Sequence, residues 1–238
     1  PIQFNALLFI PQRNFDFFGM NRDQRGLDLY VRKVLIQHEN KELIPEYLGF
    51  VKGVVDSEDI PLNISRETLQ ENANFNKIAK TITSQLLKHL ISFAKEKPEA
   101  FKTFWKEHGR IFKLGYADYA NKENFMQLLR FNSSFEENDE VLVSLEDYEA
   151  KMLDGQKEIY YIYASSRAAL AKNPFLDSFK IKGLPVIYVY DNLDEFVLSN
   201  SFGYKDFTFK AVSAVQATDL EKFPDINDSG NENITPLT

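Results

Sequence analysis

The sequence predicts an α/β chain of two layered units, a mixed sheet with helices and a βαβ unit, joined by a helical connector. Three observations carry that expectation. Runs of β-forming residues at 2–10, 27–36 and 50–56 precede a stretch in which Phe75, Ile78, Ile82, Leu86, Leu90 and Phe93 recur at three- and four-residue spacings. Residues 98–131 keep a helical period throughout. Two short apolar runs, 159–163 and 184–190, bracket a helical segment, the spacing of a parallel βαβ unit with a right-handed crossover.

Taken in order, residues 2–10 read as a strand with apolar side chains on both faces, and 27–36 as a second, partly alternating one. Residues 14–25 show no sustained period and are expected to form a long loop. A turn at 39–41 leads to the buried strand at 50–56. The long amphipathic helix follows until Pro98 stops it, closing a large α/β unit over 1–96. The connector spans 97–131, with Phe101, Phe104, Trp105, His108 and Phe112 on one face and Phe125, Leu128 and Leu129 on another. A small α/β unit occupies 132–215, where Ser144 and Asp147 are spaced like a capping box. Residues 216–238 carry Asp219, Glu221, Asp225, Asp228 and Glu232 against Lys222 and read as an acidic tail or linker, ordered in part.

Composition narrows the function classes. The 238 residues are 44% hydrophobic and 26% charged, the balance of an ordinary folded protein. A net charge of −7 argues against a duplex-binding surface, so no nucleic-acid partner is expected. The longest apolar runs, such as 6–10 and 185–189, are far short of a membrane span, which takes about 18–20 residues. There is no cysteine, hence no disulfide, thiolate metal site or cysteine nucleophile. No two of the ten glycines lie two apart and none precedes a lysine, which excludes the common glycine-rich phosphate cradles. His38, His89 and His108 lack ligand spacing, so no metal is expected. Four Asn-x-Ser/Thr matches are read as chance, because no signal peptide is in view. A strand beginning at once after Pro1 suggests a piece of something longer.

The densest polar stretch is 55–70, joining a strand to the long helix. Ser65 or Asn63 can cap the helix start, and Glu67 suits its dipole. Arg66 does not: a cation at a helix start is mildly unfavourable. Either Arg66 pairs locally with Asp56, Glu58 or Asp59, or the loop holds a guanidinium fork toward an anion such as phosphate. Gln70, about one turn on, can aim a second donor at the same place. Separately, Phe15, Phe17 and Phe18 fall in the expected loop. They either tuck under the sheet or mark a contact surface for another chain.

Residues 43–67, LIPEYLGFVKGVVDSEDIPLNISRE, closely resemble the signature of the middle segment of the 90-kilodalton heat-shock chaperone family. Supporting matches run from residues 8–11 and 29–31 through 113–115, 128–131, 144–148 and 156–161 to 174–175, so the resemblance covers nearly everything up to about residue 200. It implies part of a dimeric, ATP-dependent chaperone of the heat-shock response, between an N-terminal nucleotide-binding domain and a C-terminal dimerisation domain. By that resemblance Arg66 falls on the arginine that reaches the terminal phosphate of ATP, Gln70 on a glutamine of the same helix, and Asn63 on a loop asparagine. ATP with Mg would be bound mainly by the N-terminal domain, so no cofactor or activity is expected of this chain alone.

The resemblance further implies unfolded or partly folded client proteins as partners, met by Phe15, Phe17 and Phe18; room for co-chaperones; a homodimer in the full-length protein; and a cytoplasmic location. Leu35 stands where many members carry a phenylalanine, a departure from the pattern. Two other classes compete with this expectation. A stand-alone α/β enzyme would need a catalytic set that cannot be assembled here, and a protein-interaction module without catalytic contribution is the alternative.

Overall fold

The computed structural model describes residues 2–13, 25–62 and 65–226, residue 66 by its backbone alone. These residues form α/β layers, as expected, and divide into two compact units at Leu128/Leu129.

In the first unit, β1 (Phe4–Phe9), β2 (Leu27–Val31), β3 (Val34–Asn40) and β4 (Lys52–Ser57) form a mixed sheet in the order β1-β4-β2-β3. β4 pairs antiparallel with β1 and parallel with β2, placing Val54 beside both Leu7 and Asp28. Alternation along these strands sends Leu27, Leu29, Val31, Val55 and Ser57 inward, where all are fully buried. The opposite face shows Leu7 at 72% exposure and Phe9 at 59%, so β1 is an edge strand with apolar side chains in the open.

The single strand expected over 27–36 is two strands. Arg32 (φ 50°) and Lys33 (φ 67°) both take the left-handed conformation and turn the chain back as a hairpin. No Asn-Gly pair announces that turn. It is braced instead by the Arg32 N–H donating to the Ser57 carbonyl (3.1 Å) and the Lys33 N–H donating to Asp56 Oδ1 (3.1 Å).

After β4 come a one-turn helix α1 (Arg66–Leu69), the long α2 (Ala73–Glu96), α3 (Pro98–Phe112) and α4 (Lys122–Leu128). α2 buries Phe75, Ile78, Ile82, Leu86 and Leu90 of the stripe read from the spacing and adds Leu87, while Phe93 at the end of the stripe is half-buried. Pro98 both ends α2 and opens α3 at its first helical turn. Of the connector expected over 97–131, residues 97–128 pack into the first unit: α3 and α4 lie against α2 and against the turn at Glu46–Leu48. Aromatic contacts explain this docking. Tyr47 meets Phe112 and Phe125 edge-on, while Phe50 meets Phe104 edge-on and stacks on His108 at 4.6 Å.

His108 is 1% exposed, its Nε2 2.9 Å from the Pro11 carbonyl and its buried Nδ1 without a partner among the described residues. Burial holds its pKa below the ordinary histidine value, outweighing the Pro11 carbonyl and Glu107, which favour the charged ring.

The second unit contains β5 (Asn132–Ser133), α5 (Leu145–Glu149), β6 (Glu158–Tyr163), α6 (Arg167–Ala171), α7 (Asp177–Lys182), β7 (Val186–Val189), α8 (Asn192–Asn200), β8 (Thr208–Ala211) and α9 (Ala217–Leu220). Its sheet runs β5-β7-β6-β8. β6 and β7 are parallel, the expected βαβ pair; β8 adds in parallel on the other side of β6 and β5 antiparallel beyond β7. Tyr160, Ile162, Val186 and Tyr188 share one buried cluster with Leu170, Leu176, Phe179, Leu184 and Val212. Leu220 and Phe223 join that cluster, so the expected acidic tail is part of the unit through Phe223. Lys182 ties it down, donating to the Phe223 carbonyl and to Asp225. Residues 227–238 lie outside the described residues.

The capping box read at Ser144 and Asp147 is present and opens α5. It aims Tyr148 inward, where its hydroxyl donates to the Pro185 carbonyl (2.6 Å) and accepts from Tyr160 N–H (2.9 Å) and Gln156 Nε2 (3.2 Å). One buried oxygen thereby joins α5, β6 and the start of β7.

Two outcomes follow from these buried polar groups. Tyr148→Phe strands the Tyr160 N–H and a Gln156 donor and should destabilise the second unit by about 2–3 kcal/mol, read from denaturant midpoints. For His108, below about pH 6.5 the unfolded chain takes up a proton that the folded site resists, so stability falls as pH falls. Melting temperatures compared between about pH 7.5 and 5.5 should drop further for the native chain than for His108→Gln, which keeps a donor toward Pro11 but cannot titrate.

Candidate functional site

The stretch from the end of β4 to the start of α2 is where the candidate residues gather. Asp59 is anchored to the sheet, its carboxylate accepting the Gln3 N–H (2.7 Å), and Asp56 accepts the Lys33 N–H. Two of the three carboxylates weighed as local partners for Arg66 therefore already hold backbone donors. Ile60 is buried and pins the chain, whereas Leu62 is exposed. Asn63 lies outside the described residues.

Ser65 is the helix cap. Its Oγ accepts from the Thr68 N–H (3.3 Å) while Thr68 Oγ1 accepts from the Ser65 N–H (3.1 Å), a reciprocal capping box. Arg66 is thus the first residue of α1, with Glu67 beside it and Leu69 buried beneath. The long helix does not begin here. Asn72 caps α2 separately, accepting from the Phe75 N–H (3.0 Å), so Arg66 stands on its own one-turn helix rather than on the long one.

Gln70 closes α1. Its carbonyl accepts from Asn76 Nδ2 (2.8 Å), and its side-chain Nε2 donates to Glu42 Oε1 in the segment after β3. Glu42 was not singled out from the sequence, because 28 residues separate it from Gln70 and its surroundings read as an ordinary turn. The structure therefore brings Ser65, Arg66 and Gln70 onto one short, capped corner braced against the β3 side of the sheet. Phe15, Phe17 and Phe18 lie outside the described residues.

The described part of the corner places an arginine at the first position of a short helix. Among the described residues no group of three histidine or acidic side chains is placed to hold a metal ion, and no helix is long and apolar enough to cross a membrane. Removing the cap should loosen the corner: Ser65→Ala is expected to destabilise α1 by about 1 kcal/mol, seen as faster amide hydrogen exchange at Thr68 and Leu69 than elsewhere in the unit.

Comparison with known proteins gives a consistent answer. The family model described as Hsp90 protein matches residues 1–234. The chain is 52% identical to the chaperone protein HtpG of Nitratidesulfovibrio vulgaris over all 238 residues, which is 37% of that protein. It is 48% identical to HtpG of Oleidesulfovibrio alaskensis over 95% of the chain and 36% of that protein. With HtpG of Desulfitobacterium hafniense the identity is 46% over 83% of the chain and 32% of that protein. The chain spans about a third of the length of the curated relatives it matches.

Proposed function

The chain belongs to the Hsp90 protein family, and from that premise we propose that it works as the middle segment of an ATP-dependent chaperone, delivering Arg66 to the terminal phosphate of a nucleotide held elsewhere in the full-length protein. The observation that carries this reading is the placement of Arg66 as the first residue of a separately capped one-turn helix, where local helix energetics disfavour a cation.

ATP with Mg would supply the phosphoryl group transferred to water. The Ser65–Thr68 box and the buried Leu69 hold the backbone of α1, which fixes the point from which an arginine would extend toward developing negative charge. Asp56 and Asp59 each accept a backbone N–H, from Lys33 and Gln3, which ties the connection that leads to α1 to the first unit. Phosphoryl transfer depends mostly on positioning and charge stabilisation, and an arginine brought up by domain closure couples it to conformation.

Client proteins, a homodimer, co-chaperones and a cytoplasmic setting belong to the same reading through the family. Client contact is assigned to Phe15, Phe17 and Phe18, and a supporting position to Asn63, on the resemblance alone.

The test is steady-state ATP hydrolysis by the full-length protein. Arg66→Ala should remove roughly 2–4 kcal/mol of transition-state stabilisation, about 30- to 1,000-fold in turnover, with nucleotide affinity little changed. Unchanged turnover would leave the chain as an interaction module without catalytic contribution.

A further inference from the structure

We propose that Glu42 is a positioning residue for the candidate catalytic arginine, acting through Gln70. This inference rests on the reading of Arg66 given above, and it assigns Gln70 a task other than touching phosphate.

Three observations carry it. First, Glu42 is rigidly mounted. The Asn40 side chain, 1% exposed, accepts both the Glu42 and the Leu43 N–H groups at 2.9 Å and is itself held by donating to Gln37 (2.9 Å). Leu43 and Ile44 are buried directly after it, so the carboxylate projects from a fixed point at the end of β3. Second, the contact spans the chain. Glu42 Oε1 accepts from Gln70 Nε2 across 28 residues, and Gln70 is the capping residue at the carboxyl end of α1. With Asn76 on its carbonyl, Gln70 is held by side chain and backbone alike, which sets where the short helix ends. Third, the other oxygen, Glu42 Oε2, is shielded from solvent and has no partner among the described residues. Among the described residues Gln70 is the side-chain donor to this half-buried carboxylate, and breaking the bond removes that partner.

The consequence for Arg66 is mechanical. One turn of helix cannot hold itself together in isolation. α1 is fixed at its start by Ser65 and Thr68, underneath by Leu69, and at its end by Gln70 on Glu42. Releasing the end frees the turn to rotate about its cap, moving the first residue by more than the fraction of an ångström that such chemistry tolerates.

The experiment measures kcat and KM for ATP in the full-length protein together with thermal midpoints. Glu42→Ala is expected to lower kcat about tenfold with KM held within about twofold. Glu42→Gln keeps an acceptor for Gln70 Nε2 and should stay near the native rate. Gln70→Glu sets two carboxylates against each other and should fall like Glu42→Ala. Combining Glu42→Gln with Gln70→Glu restores a donor–acceptor pair with the roles exchanged and should recover kcat, an outcome that a general loss of stability would not produce.

A native kcat in Glu42→Ala, or a double variant no better than Gln70→Glu alone, overturns the proposal while Arg66→Ala remains impaired. If Arg66→Ala itself keeps native turnover, the function reading falls and this inference with it.

Discussion

Everything that places Arg66 hangs on the central strand β4, whose carboxyl end is held from both sides. β1 fixes it in antiparallel register and β2 in parallel register, and the Arg32 N–H closes on the carbonyl of Ser57, its last residue. The close approach of β1 requires Gly53. At its φ of +140° an added Cβ would lie 2.1 Å from the Leu7 carbonyl oxygen, so no other residue fits without opening the sheet. Because the end of β4 cannot drift, the connection that follows starts from a known point and direction. Asp59 on Gln3, Asn74 on the Asp59 carbonyl and buried Ile60 carry that constraint onward toward the helices.

Helix α1 is then the product of its surroundings. Four residues supply too few intrahelical hydrogen bonds to offset the entropy of fixing them. Its existence depends on contacts from three directions: a cap, a buried leucine and an end brace. The aromatic packing of Tyr47 and Phe50 against α3 and α4 is what immobilises the segment after β3 from which that brace is made. In this sense the aromatic core of the first unit and the candidate arginine belong to one mechanical chain.

Regular periodicity made part of this architecture legible in advance. The stripe from Phe75 to Leu90, the apolar face of α3 and the β6–β7 pair all express repeating spacings, and each is present. What escaped were features set by single side chains. The hairpin at Arg32 and Lys33 needs two left-handed residues of types that do not advertise a turn. The break between α1 and α2 depends on Asn72 choosing to cap Phe75, although Ser65 and Asn63 offered an equally plausible start upstream. Leu220 and Phe223 were hidden by acidic neighbours, and the brace on Gln70 by 28 intervening residues. Of the candidate residues, Arg66 and Gln70 stand out by their chemistry at a helix start and by the resemblance, while their separate helix and the residue behind them required coordinates.

The shortness of α1 also bears on time. A single turn bounded by ready-made caps re-forms on the submicrosecond scale of helix–coil relaxation. Enzyme turnovers commonly take about a millisecond to a second. If the corner opens while larger bodies rearrange, its recovery is thousands of times quicker than such a cycle. A helix this small can therefore re-form far faster than any rearrangement on the millisecond scale.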